Sequence, residues 1–490
     1  MIKTTLRKTV AAVMLLLPSC VFAQRDSEFF MGETHEFDLK EFVDNLDWES
    51  ADVQAKVGMR RAGAPAPDDI RWIDRIYNLP DYMRTFYDNH GKRVQEVLNG
   101  GSNYLSNPAA DQTNAVHFNN GEATFVVLKE IPVGLTFTYP QDAVDQDPSL
   151  YRQYALNAIN AHIAEHQDEY LADVYDFMPY MFMSMSYDYP EAFWLRNYWN
   201  WSTSYGADWG YLQESGRDSA NYTYMVLFMV QAGEYDYRNE DFRNPAVLAQ
   251  AVQEYKGKVQ SILADVPTDT RYAQVRYLND WLTKHNAYNS CYDPQNSPSI
   301  VWSPMSALRG TNGERGPVCE GYARAFKVLC DQLGIPCILA VGDAIGSRDA
   351  TPESHMWDEV KMGDGNWYAV DVTWNDPMNS SSDPLVSGLE NENWLLLGKY
   401  DIVNKWDNLT FADSHPNSLI YGQSESAAWD YDNRTLIADY KYNHTTGVAS
   451  VSAPEDDDVI YSILGVKLDK EIGELEPGLY IINGRKVVVK

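Results

Sequence analysis

Positive charge is scarce in this chain: 39 lysines and arginines stand against 70 aspartates and glutamates over 490 residues, a formal net charge of −31. That balance argues against nucleic acid as a partner, because phosphates attract cations. It argues equally against adhesion to an anionic lipid surface. A solvated acidic face is the simplest account of the excess. Long apolar runs are also missing. The run from Val10 to Leu17 is too short to cross a membrane, and no later stretch reaches about 18 apolar residues, so no membrane span is expected. Cysteine is rare, with five in all and no Cys-x-x-Cys pair. Neither a metal site nor a cofactor is expected.

What is present begins with an address. Lys3, Arg7 and Lys8 precede the apolar run, and Val21-Phe22-Ala23 offers a small-residue cleavage site before Gln24. Residues 1–23 therefore read as a signal peptide, whose removal takes three cations and no acids and moves the net charge from −31 to −34. Leu17-Pro18-Ser19-Cys20 loosely resembles a lipoprotein cleavage box, although Pro18 fits it badly; lipid attachment at Cys20 is the lesser alternative. Four cysteines then remain: Cys291, Cys319, Cys330 and Cys337. Cys330 and Cys337 fall in apolar settings and read as buried small hydrophobes, with a bridge between them as the other option.

Hydrophobic content of 44% and aromatic content of 13% suffice for packed cores, and the length predicts two to four units. Residues 24–145 form an N-terminal region that is partly β. Its first part, to about 70, is polar and acidic and ends in a linker, Arg60 to Asp68, and strands are expected at Ala123 to Leu128 and at Val133 to Tyr139, broken at Pro132. Residues 146–430 hold a helical lead-in and the core of interest. Helical spacing runs from Tyr151 to Ala164, a dense apolar run covers Met178 to Met185, and Tyr222 to Val230 reads as a buried strand. The aromatic stretch to Tyr211 reads as core in preference to a sugar platform. Asn244 and Pro245 start a helix that runs to about Leu263, and Asp269 is expected to cap the next. Residues 448–490 form a β tail in which Asn483-Gly484, between two β-rich runs, signals a hairpin.

Three segments carry chemistry. Cys319 follows Gly316-Pro317-Val318 and precedes a pattern in which Tyr322, Phe326, Leu329 and Leu333 share a helical face, ended by Gly334 and Pro336. That puts Cys319 in a first helical turn, where free N–H groups and the helix dipole favour negative charge and could hold an oxyanion. Gly321 allows another segment to approach closely. His355 stands in Ser354-His355-Met356-Trp357, and Asp371 in Trp367-Tyr368-Ala369-Val370-Asp371-Val372-Thr373-Trp374. The two runs flank Gly363-Asp364-Gly365-Asn366, a hairpin signal. A thiol, an imidazole and a carboxylate make a nucleophile, its base and the group that orients the base. A two-residue turn at Asp364-Gly365 would pair His355 with Trp374 and leave Asp371 about three residues, roughly 10 Å, out of register. Contact then requires a bulge, a wider loop or strong twist.

These three blocks resemble those of the transglutaminase-like superfamily, as does Leu333-Gly334-Ile335-Pro336-Cys337. The likeness is strongest over about 270–376. It implies an α+β, papain-like core with the nucleophile helix packed on an antiparallel sheet, Cys319 as nucleophile, His355 as base and Asp371 as orienter. Asp358 departs from the family, which usually has Asn there, and would add negative charge near the imidazole. Trp302 and Tyr288 are candidates for the second oxyanion donor. The C-terminal residues 477–490 resemble the sorting domains of the bacterial type IX secretion pathway, which with the signal peptide implies export to the cell surface or beyond. The reading that follows is an exported thiol enzyme acting on a protein or peptide amide, with hydrolysis favoured over transfer to an amine. A non-catalytic surface binding protein on the same scaffold is the alternative from another class.

Overall fold

Two antiparallel sheets and the helices between them make up most of the described part of this α+β chain, a computed structural model. It describes residues 27–38, 71–76, 78–100, 115–117, 124–195, 198–208, 219–230, 234–235, 240–242, 244–289, 299–311, 316–376, 390–415, 437–444, 460–462, 467–468, 478–482 and 485–489. The signal-peptide reading, the Arg60 to Asp68 linker, Cys20 and Cys291 lie outside these residues.

The first sheet has five strands, β1 (Ser27–Asp38), β2 (Ala115–His117), β3 (Thr124–Thr136), β4 (Tyr198–Asp208) and β5 (Ser219–Val230), in the order β1-β4-β5-β3-β2. Three expectations change here. Ser27–Asp38 is a strand paired with β4, in a polar, acidic stretch to which the sequence reading assigned no element. The boundary expected near 145 falls inside this sheet, since β4 and β5 follow it. And β3 runs unbroken through Pro132, because β2 pairs only with Thr124 to Val126. Past that point no described strand pairs with that edge of β3, so a proline that lacks an N–H breaks no described ladder on that side.

Helix α1 (Asp81–Leu98) and the 40-residue α2 (Ser149–Asp188) cover the sheet. The two apolar segments read from the sequence belong to this one helix, which continues through Pro179. Its first half buries one stripe, Tyr151, Ala155 and Ile159; its second half, from Met178 to Met185, is buried nearly all round. Phe182 meets Phe228 and Tyr170 meets Tyr224, seating the helix on β5. Where its side chains are described, the aromatic stretch is core, as expected: Trp194 and Trp201 are buried, and the Tyr205 hydroxyl donates to Asn160 at 3.0 Å.

Helices α3 (Pro245–Leu263), α4 (Arg271–His285) and α5 (Pro304–Arg309) lead to α6 (Cys319–Gln332). Asn244 caps α3 as expected, accepting from the Ala246 N–H. The cap of α4 is Thr270, one residue past Asp269; its Oγ1 accepts from the Ala273 N–H. Strands β6 (Cys337–Ala344), β7 (Glu353–Lys361), β8 (Trp367–Val370) and β9 (Leu395–Leu397) form the second sheet in the order β9-β8-β7-β6. The α6 helix buries every residue from Gly321 to Cys330. Two ties fix this unit to the first: Arg324 donates to the Ser186 carbonyl and hydroxyl at the end of α2, and Trp72 Nε1 donates to the Leu339 carbonyl of β6.

Beyond the sheet come α7 (Val372–Asn375), the hairpin of β10 (Ile402–Asn404) and β11 (Leu409–Thr410), and α8 (Phe411–Ser414). In the tail, β12 (Ile460–Ser462), β13 (Lys467–Leu468), β14 (Gly478–Ile482) and β15 (Arg485–Val489) form a small antiparallel sheet. Gly478–Ile482 pairs antiparallel with Arg485–Val489, as expected of the hairpin, while the Asn483-Gly484 turn itself lies outside the described residues. No described helix is long and apolar enough to cross a membrane.

Candidate active site

Cys319 is the first residue of α6, and the extended Val318 before it supplies no side-chain cap. The first-turn N–H groups therefore receive no capping side chain from Val318. A Cβ at Gly321 would come within 2.5 Å of the Val301 carbonyl oxygen, so only glycine lets the approach segment lie against this turn. The turn is held from below by Tyr322, whose buried hydroxyl donates to Asp376.

His355 is 7% exposed and stands near the start of β7. Its Nε2 meets Asp371 Oδ2 at 2.8 Å, and the ring lines the same cleft as Cys319. With Nε2 engaged, Nδ1 is the nitrogen left to face sulfur. Asp371 is fully buried; its Oδ1 accepts from the Trp374 N–H at 3.0 Å, capping α7. The three residues singled out from the sequence thus lie together.

The obstacle raised by the two-residue turn disappears because the loop holds three residues. Lys361 pairs with Trp367, the Met362 N–H donates to the Asn366 carbonyl, and Gly365 adopts φ +85°. This is a three-residue turn with glycine in the left-handed region, the form that ends in a G1 bulge. The extra residue moves the register by one position, and a one-residue shift moves a side chain to the other face. Asp371 then extrapolates opposite Trp357 instead of Asp358. It shares the His355 face, two residues away, within reach of a diagonal pair. The Gly363-Asp364-Gly365 signature was in view, and reading its second glycine as left-handed would have given the register.

Sequence reasoning missed His415. It is fully buried just after α8, and its Nε2 lies 3.2 Å from the same Asp371 Oδ2. Phe411 stacks on it at 4.3 Å, and Trp357, Trp374 and Trp394 surround it at 4.7, 4.9 and 5.5 Å. Burial in this cage, with repulsion from a charged His355, lowers its pKa to about 4, and Asp371 only partly opposes that. For His355 burial acts downward too, but Asp371 and Cys319 outweigh it and its pKa is raised. Asp371 is held below the usual carboxylate range: the two histidines outweigh the upward push of burial.

Asp358 does not act on the imidazole as the resemblance implied. It points from the opposite face of β7, fully buried, with the Cys337 thiol 3.5 Å from its Oδ1. Burial, reinforced by Cys337, raises its pKa well above the usual range and favours the neutral acid. Cys330 and Cys337 are buried free thiols, not a bridge. Tyr288 lines the cleft, whereas Trp302 is half-buried at the end of a 3₁₀ turn, Ser299–Trp302, and is absent from the cleft wall.

The cleft has a volume of about 430 Å³ and is walled by Tyr288, Cys319, Glu353, His355, Trp374 and Trp394, among others. Asp376, also in its wall, is pushed up to about 7 by burial. For metal ligation, His355, Asp371 and His415 bring donor atoms within 4.8 Å of one another, but both imidazoles already address one carboxylate oxygen at hydrogen-bond distance. A His-x-x-x-His pair that the sequence reading passed over is His162 and His166 on α2. The rings lie 4.3 Å apart, with their Nδ1 atoms engaged by Tyr222 and Glu169.

With this geometry in hand, residues 256–372 match the sequence model of the Transglutaminase-like superfamily, so the chain carries a transglutaminase-like domain. Kyphoscoliosis peptidase of Mus musculus and of Homo sapiens are each 26% identical over 144 residues, covering 28% of this chain and 21% of the relative. The chain thus spans about a fifth of the length of the curated relatives it matches. Among solved structures, a TGase aligns over 34% of this chain and 45% of its own, at 14% identity and a TM-score of 0.20. A candidate cysteine protease from Cytophaga hutchinsonii aligns over 32% and 54%, at 21% identity and a TM-score of 0.19. Overlaps this slight carry no argument about activity.

Proposed function

We propose that this chain is an exported thiol enzyme that hydrolyses a peptide or side-chain amide through a Cys319 thioester. The observation that carries the reading is the His355 imidazole, held at 2.8 Å by a buried Asp371 and sharing the wall of one open cleft with Cys319. His355 takes the thiol proton and sulfur attacks the carbonyl carbon. The oxyanion that forms is met by the first-turn N–H of Cys319, with the Tyr288 side of the cleft as the second donor. The imidazolium gives its proton to the leaving nitrogen as the C–N bond breaks, leaving a thioester. Water, deprotonated by His355, then attacks; the C–S bond breaks, the acid leaves, and the thiol is restored. Asp371, acceptor-only, keeps the ring oriented throughout. The name of the curated relatives, peptidase, agrees with hydrolysis.

The test is incubation with a glutamine-donor peptide, a peptide library and a labelled amine. Release of new termini or ammonia, lost in Cys319→Ala, is expected; amine incorporation without competing hydrolysis would establish a transglutaminase instead. A folded protein whose Cys319 reacts with iodoacetamide no faster than a free thiol would leave the non-catalytic binding protein. Export rests on the basic-apolar N-terminus and the tail hairpin. A secreted form beginning at Gln24, and cell retention on deleting 448–490, are the expected results.

A further inference from the structure

Asp371 is unusual in being addressed by two histidines at one oxygen. Its Oδ1 is occupied by the Trp374 N–H, and its Oδ2 receives His355 at 2.8 Å and His415 at 3.2 Å. His415 is not placed there loosely. Its backbone N–H donates to the Phe411 carbonyl, and the preceding Ser414 bonds Ile345 through both its carbonyl and its hydroxyl. Phe411 stacks on one side of the ring and three tryptophans close around it. An acceptor-only carboxylate oxygen requires a donor from each imidazole, so His415 carries its proton on Nε2. Its Nδ1 is buried with no hydrogen-bond partner among the described residues, the state expected of an unprotonated ring nitrogen. A charged His415 would sit 5.6 Å from the His355 ring and oppose its imidazolium. A neutral one adds a donor without adding a charge.

Resting on the thiol-enzyme reading above, we propose that His415 is a positioning residue: its Nε2–H pins Asp371 Oδ2 as a fixed acceptor. Through it, the His355 ring is locked in the tautomer whose Nδ1 faces Cys319. Without that donor Oδ2 has only His355, and the carboxylate can turn about its own bond and carry the ring away from sulfur. Misplacement of this size costs a reaction about 100-fold or less.

The test uses the full chain labelled with ¹⁵N-histidine, in wild type, His415→Phe and His415→Gln. In wild type the His415 ring should hold its Nε2–H tautomer unchanged between pH 5 and 8. Phe fills the cage but cannot donate, whereas the Gln side-chain amide can still reach Asp371. His415→Phe should keep the melting temperature, lose the fixed Nε2–H signal of His355, and alkylate Cys319 with iodoacetamide about 10- to 100-fold more slowly. His415→Gln should retain the signal and stay within about threefold of the wild-type rate. An unchanged His355 signal and rate in folded His415→Phe overturns the proposal. So does an equal loss in folded His415→Gln, which would mean that ring shape and not donation matters. If His415→Phe does not fold, a wild-type His415 that titrates near 6.5 or carries its proton on Nδ1 overturns it as well. Should the His355 tautomer respond as stated while wild-type Cys319 is no more reactive than a free thiol, the acyl-transfer reading fails and the positioning role stands.

Discussion

The two faces of β7 carry two buried carboxyl environments that differ in everything except burial. On one face Asp371 accepts from Trp374, His355 and His415 and is held ionised. On the other, Asp358 has only the weak thiol of Cys337 on Oδ1, while its Oδ2 has no partner among the described residues, and burial drives it toward the neutral acid. Both are fully buried. Donors, not depth, decide the charge, and only the face supplied with donors is equipped to orient a base.

The largest effect that could break this contrast comes from removing each carboxylate in turn. Asp371→Asn should lower the alkylation rate of Cys319 about 10³- to 10⁴-fold, because the amide no longer selects the His355 tautomer. Asp358→Asn should leave it within about threefold. Equal losses in two folded variants would end the distinction between the faces.

Acid stability comes next. The folded pKa of His415, about 4, lies below its unfolded value near 6.5, so between those limits the unfolded chain binds a proton and the native chain does not. Stability should therefore fall as pH drops from 6.5 to 4, by on the order of 3 kcal/mol. Denaturant midpoints across that window should slope less in His415→Phe. Asp371 works below that window, its contribution lost as pH falls further. His355, raised, contributes fully below about pH 6.5 and loses that contribution progressively as pH rises toward about 10.

Smaller still is the turn. Gly365 at φ +85° has open space around it, so Gly365→Ala tests the backbone alone and should cost about 1–2 kcal/mol in urea denaturation. A neutral outcome would undercut the three-residue turn that puts Asp371 on the His355 face. The least effect sharpens the other face. Asp358 keeps its proton when folded and loses it when unfolded above pH 4, so its burial weakens the fold as pH rises. Asp358→Asn should melt slightly higher than wild type at pH 8 and nearly level with it at pH 4.

Much of this site was legible because it is built locally. The position of Cys319 follows from a glycine-proline entry, an apolar face at Tyr322, Phe326 and Leu329, and a glycine stop at Gly334, which takes φ +65°. Each acts within a few residues, so the pattern dictates the helix and its first turn without help from the rest of the chain. Asn244 and the tail hairpin were readable for the same reason. Polar composition, by contrast, hid strand β1, and Pro132 suggested a break in β3, because neither shows which sheet edges are covered. His415 lay beyond reach altogether: no spacing links it to an acid 44 residues away.

The sequence by itself determined the parts: a thiol at a helix start, an imidazole on one strand and a carboxylate just past the next. Tertiary structure decided how they meet. The one-residue register shift at Gly363-Asp364-Gly365 chose the face on which Asp371 sits, and a fold-back of distant chain set His415 and its aromatic cage against that acid. Strand alternation had already turned Asp358, three residues past His355, away from the imidazole. Side-chain identity fixes what a group can donate or accept, while its charge and direction depend on the neighbours that folding brings to it.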